Sequence, residues 1–221
     1  MTNNEKITRT PIASTNAELV TVPAFEEQTE HHDMIIRQAY VDGLINRELA
    51  GCLNRKYIWQ ATSLYSDYLN RLDQGAANLT FRSDYSLKAN NGITAAIEHS
   101  TFAAEASGAQ KLQYDNLDVQ AETYLTLCSL FTNNSYIGLI SREIRRQMED
   151  QMTKDSSNTY FIGDSGFIEI SPDQEFYINN SHQLVIVFDE YAVTPGVMGT
   201  PEFIIPTELI TGILANELYI V

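Results

Sequence analysis

Residues 79–104 constrain the fold of this chain most. Leu79-Thr80-Phe81-Arg82-Ser83-Asp84-Tyr85-Ser86-Leu87 alternates apolar and polar side chains, the period-two repeat of a half-buried strand. Asn90-Asn91-Gly92 follows, and Asn and Gly tolerate the positive φ that a tight hairpin turn demands. Ile93 to Ala104 then returns as a second strand. A hairpin of this length commits the chain to antiparallel sheet.

Other segments follow a helical period. From about Glu27, Met34, Ile35, Ala39, Val41, Leu44, Ile45, Leu49 and Leu53 recur at spacings that predict a helix, ended or bent at Gly51. A second helical stretch, Tyr57 to Leu72, gathers Ile58, Leu64, Tyr65, Tyr68, Leu69 and Leu72 on a face. Asp73-Gln74-Gly75 closes it, with Gly75 suited to a left-handed C-terminal cap. Ser135 is the expected N-cap of a helix to about Met152, with Ile137, Ile140, Ile144 and Met148 on one face.

Shorter strands are expected at Leu19–Val22, Leu112–Asp115 and Phe203–Ile205, while Tyr124–Leu127 leads through Ser129-Leu130-Phe131 into a turn at Asn133-Asn134. Phe161–Ile170 reads as an irregular or strand segment around Gly163 and Gly166. Phe176–Ile178 and Leu184–Phe188 form a second hairpin, and the continuous apolar run of its second strand implies burial on both faces. Thr207 caps a final helix from Glu208 to about Leu214. The fold class is therefore α+β, with antiparallel hairpins and sheet packed against several helices. The expected organisation is a flexible tail over 1–18, a helical region plus hairpin lobe over 19–118, and an α+β lobe over 119–221.

The hydrophobic content of 43% supports a packed core, and the net charge of −15 excludes a nucleic-acid surface. The basic run Arg142–Arg146 reads as a solvated helix face. Acidity favours a cationic partner, chiefly by steering encounter. Met1–Arg9 is polar and no apolar run approaches the roughly 18 residues of a membrane span. That pattern fits a cytosolic chain, an excised ectodomain or a protein exported another way. Cys52 and Cys128 are the only cysteines, and two buried thiols are preferred to a disulfide between them.

Catalytic motifs are absent: there is no GxGxxG, P-loop, HExxH or GxSxG. His31 and His32 are adjacent, so on a helix they diverge by about 100° and cannot clamp one metal. His99 reads as solvent-facing or hydrogen-bonded. Cys128 and Ser129 have no sequence-local base, and Asp189 and Glu190 point to opposite faces if they sit on a strand. No catalytic residue, cofactor or metal is expected.

The segment Tyr191–Pro206 holds three prolines and two glycines between two strands. It is either a structural crossover or a rigid recognition loop. Together with Gln174–Ile178 and Leu184–Tyr191, it resembles the extracytoplasmic domain shared by lysozyme-sensing anti-sigma-V factors and some peptidoglycan deacetylases. Tyr124–Phe131 and the following helix are similar to the family's LTLxDLF element, and the resemblance is clear over about 122–210. At Ala106–Lys111 the family's Gly-Gly-Ala-His-Gly-like turn survives only as Gly108-Ala109, with Gln110 in place of the histidine. The resemblance implies a non-catalytic, cell-envelope sensor-like domain whose ligand is a cationic protein such as lysozyme. It also implies ligand contacts at Ser107, Gly108, Ala109, Tyr191, Pro195, Met198 and Pro201. The alternatives are a cell-wall glycan-binding accessory module, using exposed aromatics such as Trp59, or a stand-alone cytosolic relative with another ligand.

Overall fold

The computed structural model describes residues 7–105, 107–163 and 166–221. Strands β1 (Thr8–Pro11), β2 (Glu18–Gln28), β3 (His32–Asp42), β4 (Leu79–Asn90), β5 (Thr94–Ala104), β6 (Gly108–Asp118) and β7 (Thr123–Leu125) form a seven-stranded sheet in sequence order. β3 and β4 run parallel, joined by helix α1 (Arg47–Asp73), while the other neighbours pair antiparallel. Helix α2 (Ser135–Lys154) and strands β8 (Phe176–Ile178), β9 (Leu184–Val187) and β10 (Glu202–Ile204) follow, the three strands forming a small sheet in the order β10-β9-β8. The fold class is α+β.

The period-two hairpin pairs as its sequence predicts, with Tyr85 opposite His99 and Leu87 opposite Ile97. Tyr85 and Ile97 face α1 and pack with Leu53, Tyr57 and Val41. A neighbouring cluster under α1 holds Met34, Ile36, Tyr68 and Phe81. On the opposite face, Ala96, Leu112 and Tyr114 meet Tyr177, Val185 and Val187 of the small sheet. The other face of that small sheet, with Ile178, Leu184, Ile186 and Phe203, packs against Ile140, Ile144 and Met148 of α2. β9 is thus buried on both faces.

Several elements depart from the sequence reading. Residues 32–42 are a strand, not a helix. Their buried positions are Met34, Ile36, Ala39 and Val41. The odd step from Ile36 to Ala39 breaks strict alternation, and it is what mimics helical spacing. Gly51 lies inside α1, which runs unbroken for 27 residues. Thr8–Pro11 pairs with β2 and Ile12 is buried, so order begins within the expected tail. The residues before Ile7 lie outside the described set. Asn134 rather than Ser135 flanks α2, and its side chain makes no capping bond. Thr207–Leu209 and Thr211–Ile213 are two 3-10 turns instead of a final α-helix. A segment this short gains little from helix propagation, and buried Ile210 pins it between the turns.

α1 is fastened at both ends. The Asn46 side chain accepts from Leu49 N at 3.1 Å. The Glu122 carboxylate accepts from Ile45 N at 3.1 Å and Asn46 N at 2.5 Å. Gly75, at φ +84, follows its C-terminus as the sequence predicts. Further along β3, beyond its last pair with β4 at Ile36, the Asn54 side chain accepts from Val41 N at 2.7 Å and donates to Val41 O at 3.2 Å. Glu122→Ala is expected to cost about 1–2 kcal/mol by removing an anionic cap from the positive end of α1. Thermal unfolding monitored at 222 nm checks this, and an unchanged midpoint would refute it.

Candidate ligand-binding surface

The turn between β5 and β6 presents Ser107 to solvent, with Gly108 and Ala109 half-buried. A Cβ on Gly108 would sit 2.4 Å from the Phe102 ring and 2.6 Å from the Ala104 side chain, so only glycine fits. Ala106 lies outside the described residues.

The segment after β9 is a built loop. Tyr191 adopts φ +68 and its ring lies on Gly196, where an added Cβ would come within 2.2 Å of it. Thr194 is buried and its hydroxyl donates to Thr159 O at 2.7 Å. Pro201 is buried, and its carbonyl accepts from Phe188 N at 3.0 Å. The Met198 sulfur turns inward and accepts from Thr159 N at 3.1 Å. Of the residues the family resemblance nominates, Ser107 and Tyr191 therefore present most surface, whereas Pro201 presents almost none.

Phe161 N donates to Val193 O at 2.8 Å, which ties the irregular segment to this loop. Phe161, Ile168, Tyr191 and Val197 are exposed, Tyr191 at 55% and Val197 at 93%. Beside them opens a shallow hollow of about 470 Å³ lined by Gly166, Phe167, Ile168, Glu169, Phe188, Ala192 and Val193. Phe161 and Ile168 were not singled out from sequence, because an irregular stretch carries no periodicity to mark which apolar side chains stay outside.

The two nominated loops meet. Gln110 N donates to Glu190 Oε2 at 2.8 Å, one residue beyond Ala109 on one side and one before Tyr191 on the other. Leu112 N donates to Asp189 Oδ1 at 3.1 Å and Tyr114 N to Glu175 Oε2 at 2.9 Å. Asp189 and Glu190 do not point apart. β9 ends at Val187, and both carboxylates reach the same edge from the turn beyond it.

A second polar cluster lies beneath α1. The Lys56 ammonium donates to buried Asp115 at 2.7 Å, and the Tyr124 hydroxyl donates to the same oxygen at 2.7 Å. A cleft of about 290 Å³ above it is lined by Glu48, Leu49, Cys52, Leu53, Lys56, Asp115 and Tyr124. Burial pushes the Glu175 carboxyl up to about 7, against the pull of Tyr114 N–H and Lys56. Burial likewise pushes His99 down to about 4. His99 Nε2 lies 2.9 Å from Ser83 Oγ, but both residues are buried. Such a pair lacks the substrate access that nucleophilic catalysis uses.

Cys52 and Cys128 are free and exposed, neither buried nor bridged. Cys52 sits on the rim of α1 beside Arg55, and Cys128 in a 3-10 turn after β7. His31 and His32 enter β3 from a turn, where Thr29 Oγ1 accepts from their backbone N–H groups at 3.3 and 2.9 Å. Among the described residues, no group of three or more His, Cys, Asp or Glu side chains is arranged to hold a metal. None of the described helices is long and apolar enough to cross a membrane.

Residues 129–208 match the family described as a protein of unknown function, DUF3298. Two solved DUF3298 structures share the architecture. One, from Pseudomonas aeruginosa PAO1, has a TM-score of 0.68 at 12% identity, covering 95% of this chain and 99% of that one. The other, from Bacteroides fragilis, has a TM-score of 0.63 at 15% identity, covering 92% and 96%. The layered sheets are thus those of a DUF3298-type fold. The chain is also 32% identical over 220 residues to the anti-sigma-V factor RsiV of Bacillus subtilis, across 98% of this chain and 77% of that protein. It belongs to the anti-sigma-V factor RsiV family.

Proposed function

We propose that this chain is a non-catalytic, extracytoplasmic sensor domain that binds a cationic protein, lysozyme being the first candidate. The observation that carries the reading is the composite surface made by Ser107–Ala109 and the loop from Tyr191 to Val197, joined through Gln110 and Glu190. Exposed aromatic and aliphatic side chains supply the apolar centre of a protein interface. The net charge of −15 supplies long-range attraction for a basic partner. Membership of the anti-sigma-V factor family supports a regulatory rather than an enzymatic role.

Calorimetric titration with lysozyme tests this. Binding is expected at low salt, with association slowed as ionic strength rises past about 0.15 M, where the Debye length is about 8 Å. Tyr191→Ala is expected to weaken binding by about tenfold or more, the loss typical of an aromatic anchor. Absence of binding at low salt would sink the lysozyme assignment.

A further inference from the structure

We infer that Glu175, Asp189 and Glu190 are positioning residues that stand in for an absent strand on the outer edge of β6, and so hold the Ser107–Ala109 turn and the Tyr191–Met198 loop in fixed register. This rests on reading those loops as the ligand surface. β6 pairs with β5 along its whole length, Gly108 to Asp118, but β7 covers only Asn116 to Asp118 on the other side. Alternate residues of an antiparallel strand aim their N–H groups outward. Beyond the reach of β7 these are Gln110, Leu112 and Tyr114, and each donates to a different carboxylate, at 2.8, 3.1 and 2.9 Å.

The acceptors come from both ends of the β8–β9 hairpin, Glu175 just before β8 and Asp189 and Glu190 just after β9. The same hairpin rests Tyr177, Val185 and Val187 on the side chains of Leu112 and Tyr114. β6 is thereby gripped along its backbone edge and on one face by a single unit. A further strand would supply carbonyls to these donors, whereas the side-chain carboxyl oxygens accept from them and leave no template for further pairing. The strap ends at the recognition surface: Glu190 fixes Gln110, and the next residue, Tyr191, turns at φ +68 to lay its ring on Gly196.

Amide hydrogen exchange on the full chain, without ligand, tests the strap directly in Glu190→Ala and Glu190→Gln. In Glu190→Ala, exchange at Gln110 is expected to rise on the order of tenfold, the loss of one hydrogen bond. Amides of both Ser107–Ala109 and Tyr191–Met198 are expected to loosen with it, while Tyr114, held by Glu175, keeps its protection. Glu190→Gln retains an acceptor oxygen and restores most of the protection in both loops. Unchanged exchange at Gln110, or loosening confined to one loop, overturns the inference. Lysozyme titration of the same variants is the second arm. If the wild type binds, Glu190→Ala must weaken binding with its thermal midpoint little changed, and unchanged affinity would reduce the strap to a structural staple. If the wild type does not bind, the ligand assignment fails while the exchange result still decides the strap.

Discussion

Phe203→Ala is expected to lower the unfolding free energy by about 3–5 kcal/mol, the range for deleting a buried phenylalanine ring. Phe203 is fully buried, at 0% exposure, on edge strand β10 of the small sheet. Its ring centroid lies 5.8 Å from Tyr160 and 5.8 Å from Phe188, which meets it edge-on. It faces the α2 side of that sheet with Ile140, Ile144 and Met148, positions the helical period of the sequence had marked. A layer held from both sides cannot collapse into the space a ring vacates, so the cavity cost adds to the lost transfer energy. Ile204, the next residue, points outward at 46% exposure. Ile204→Ala is expected to change stability by no more than about 0.5 kcal/mol. Urea unfolding of the two variants compares adjacent residues on opposite faces of one strand. A Phe203→Ala loss below about 1 kcal/mol, or equal losses at both positions, would contradict the layering.

The parts of the fold that were legible in sequence are those whose signal is local. Leu79–Leu87 alternates, with Ser83 the one polar side chain on its apolar face, and Asn90-Asn91-Gly92 supplies the turn, so β4 and β5 could be placed from residues within reach of one another. The same holds for α2 and for β9, where an uninterrupted apolar run can only be buried on both faces. β3 was not legible. Its strand is parallel to β4 across a 27-residue helix, and its buried positions change parity midway, so nothing in residues 27–45 alone separates strand from helix. β1 was hidden for a related reason: its four residues are largely polar and take their order from pairing with β2.

The loop after β9 was visible because proline and glycine crowd the segment between β9 and β10. What joins it to the β5–β6 turn was not visible. The carboxylates of Glu175, Asp189 and Glu190 meet backbone N–H groups 61, 77 and 80 residues away. Backbone donors carry no side-chain identity, so an edge strand capped by carboxylates looks in sequence like any strand with acids elsewhere. The same long-range geometry, and not composition, sets the two buried titrations at Glu175 and His99.

Those titrations oppose each other, and the wild type is expected to show almost no net pH dependence of stability from them between about pH 4.5 and 6.5. Glu175 is pushed up to about 7 in the folded protein, with burial first among the causes, Lys56 opposing and Asp115 and Asp189 adding to it. An unfolded glutamate titrates near 4.3. Through this window the folded state holds a proton there that the unfolded state has released. Its stabilising contribution is complete below about 4.3 and is lost as pH rises through 7. His99 is pushed down to about 4 by burial, with Gln113 and Asp115 pulling the other way and Lys56 adding to the depression. An unfolded histidine titrates near 6.5, so here the unfolded state holds the extra proton, and stability is lost as pH falls from 6.5 towards 4. One proton taken up and one given up cancel. Glu175→Gln removes the first and leaves stability rising with pH, with a slope approaching the one-proton limit of about 1.4 kcal/mol per pH unit. His99→Gln removes the second and leaves stability falling with pH up to about 7. Whatever constant cost each substitution adds, the slopes carry opposite signs. Urea unfolding at half-unit pH steps measures them, and two variants with slopes of the same sign would show that these groups do not titrate as their burial dictates.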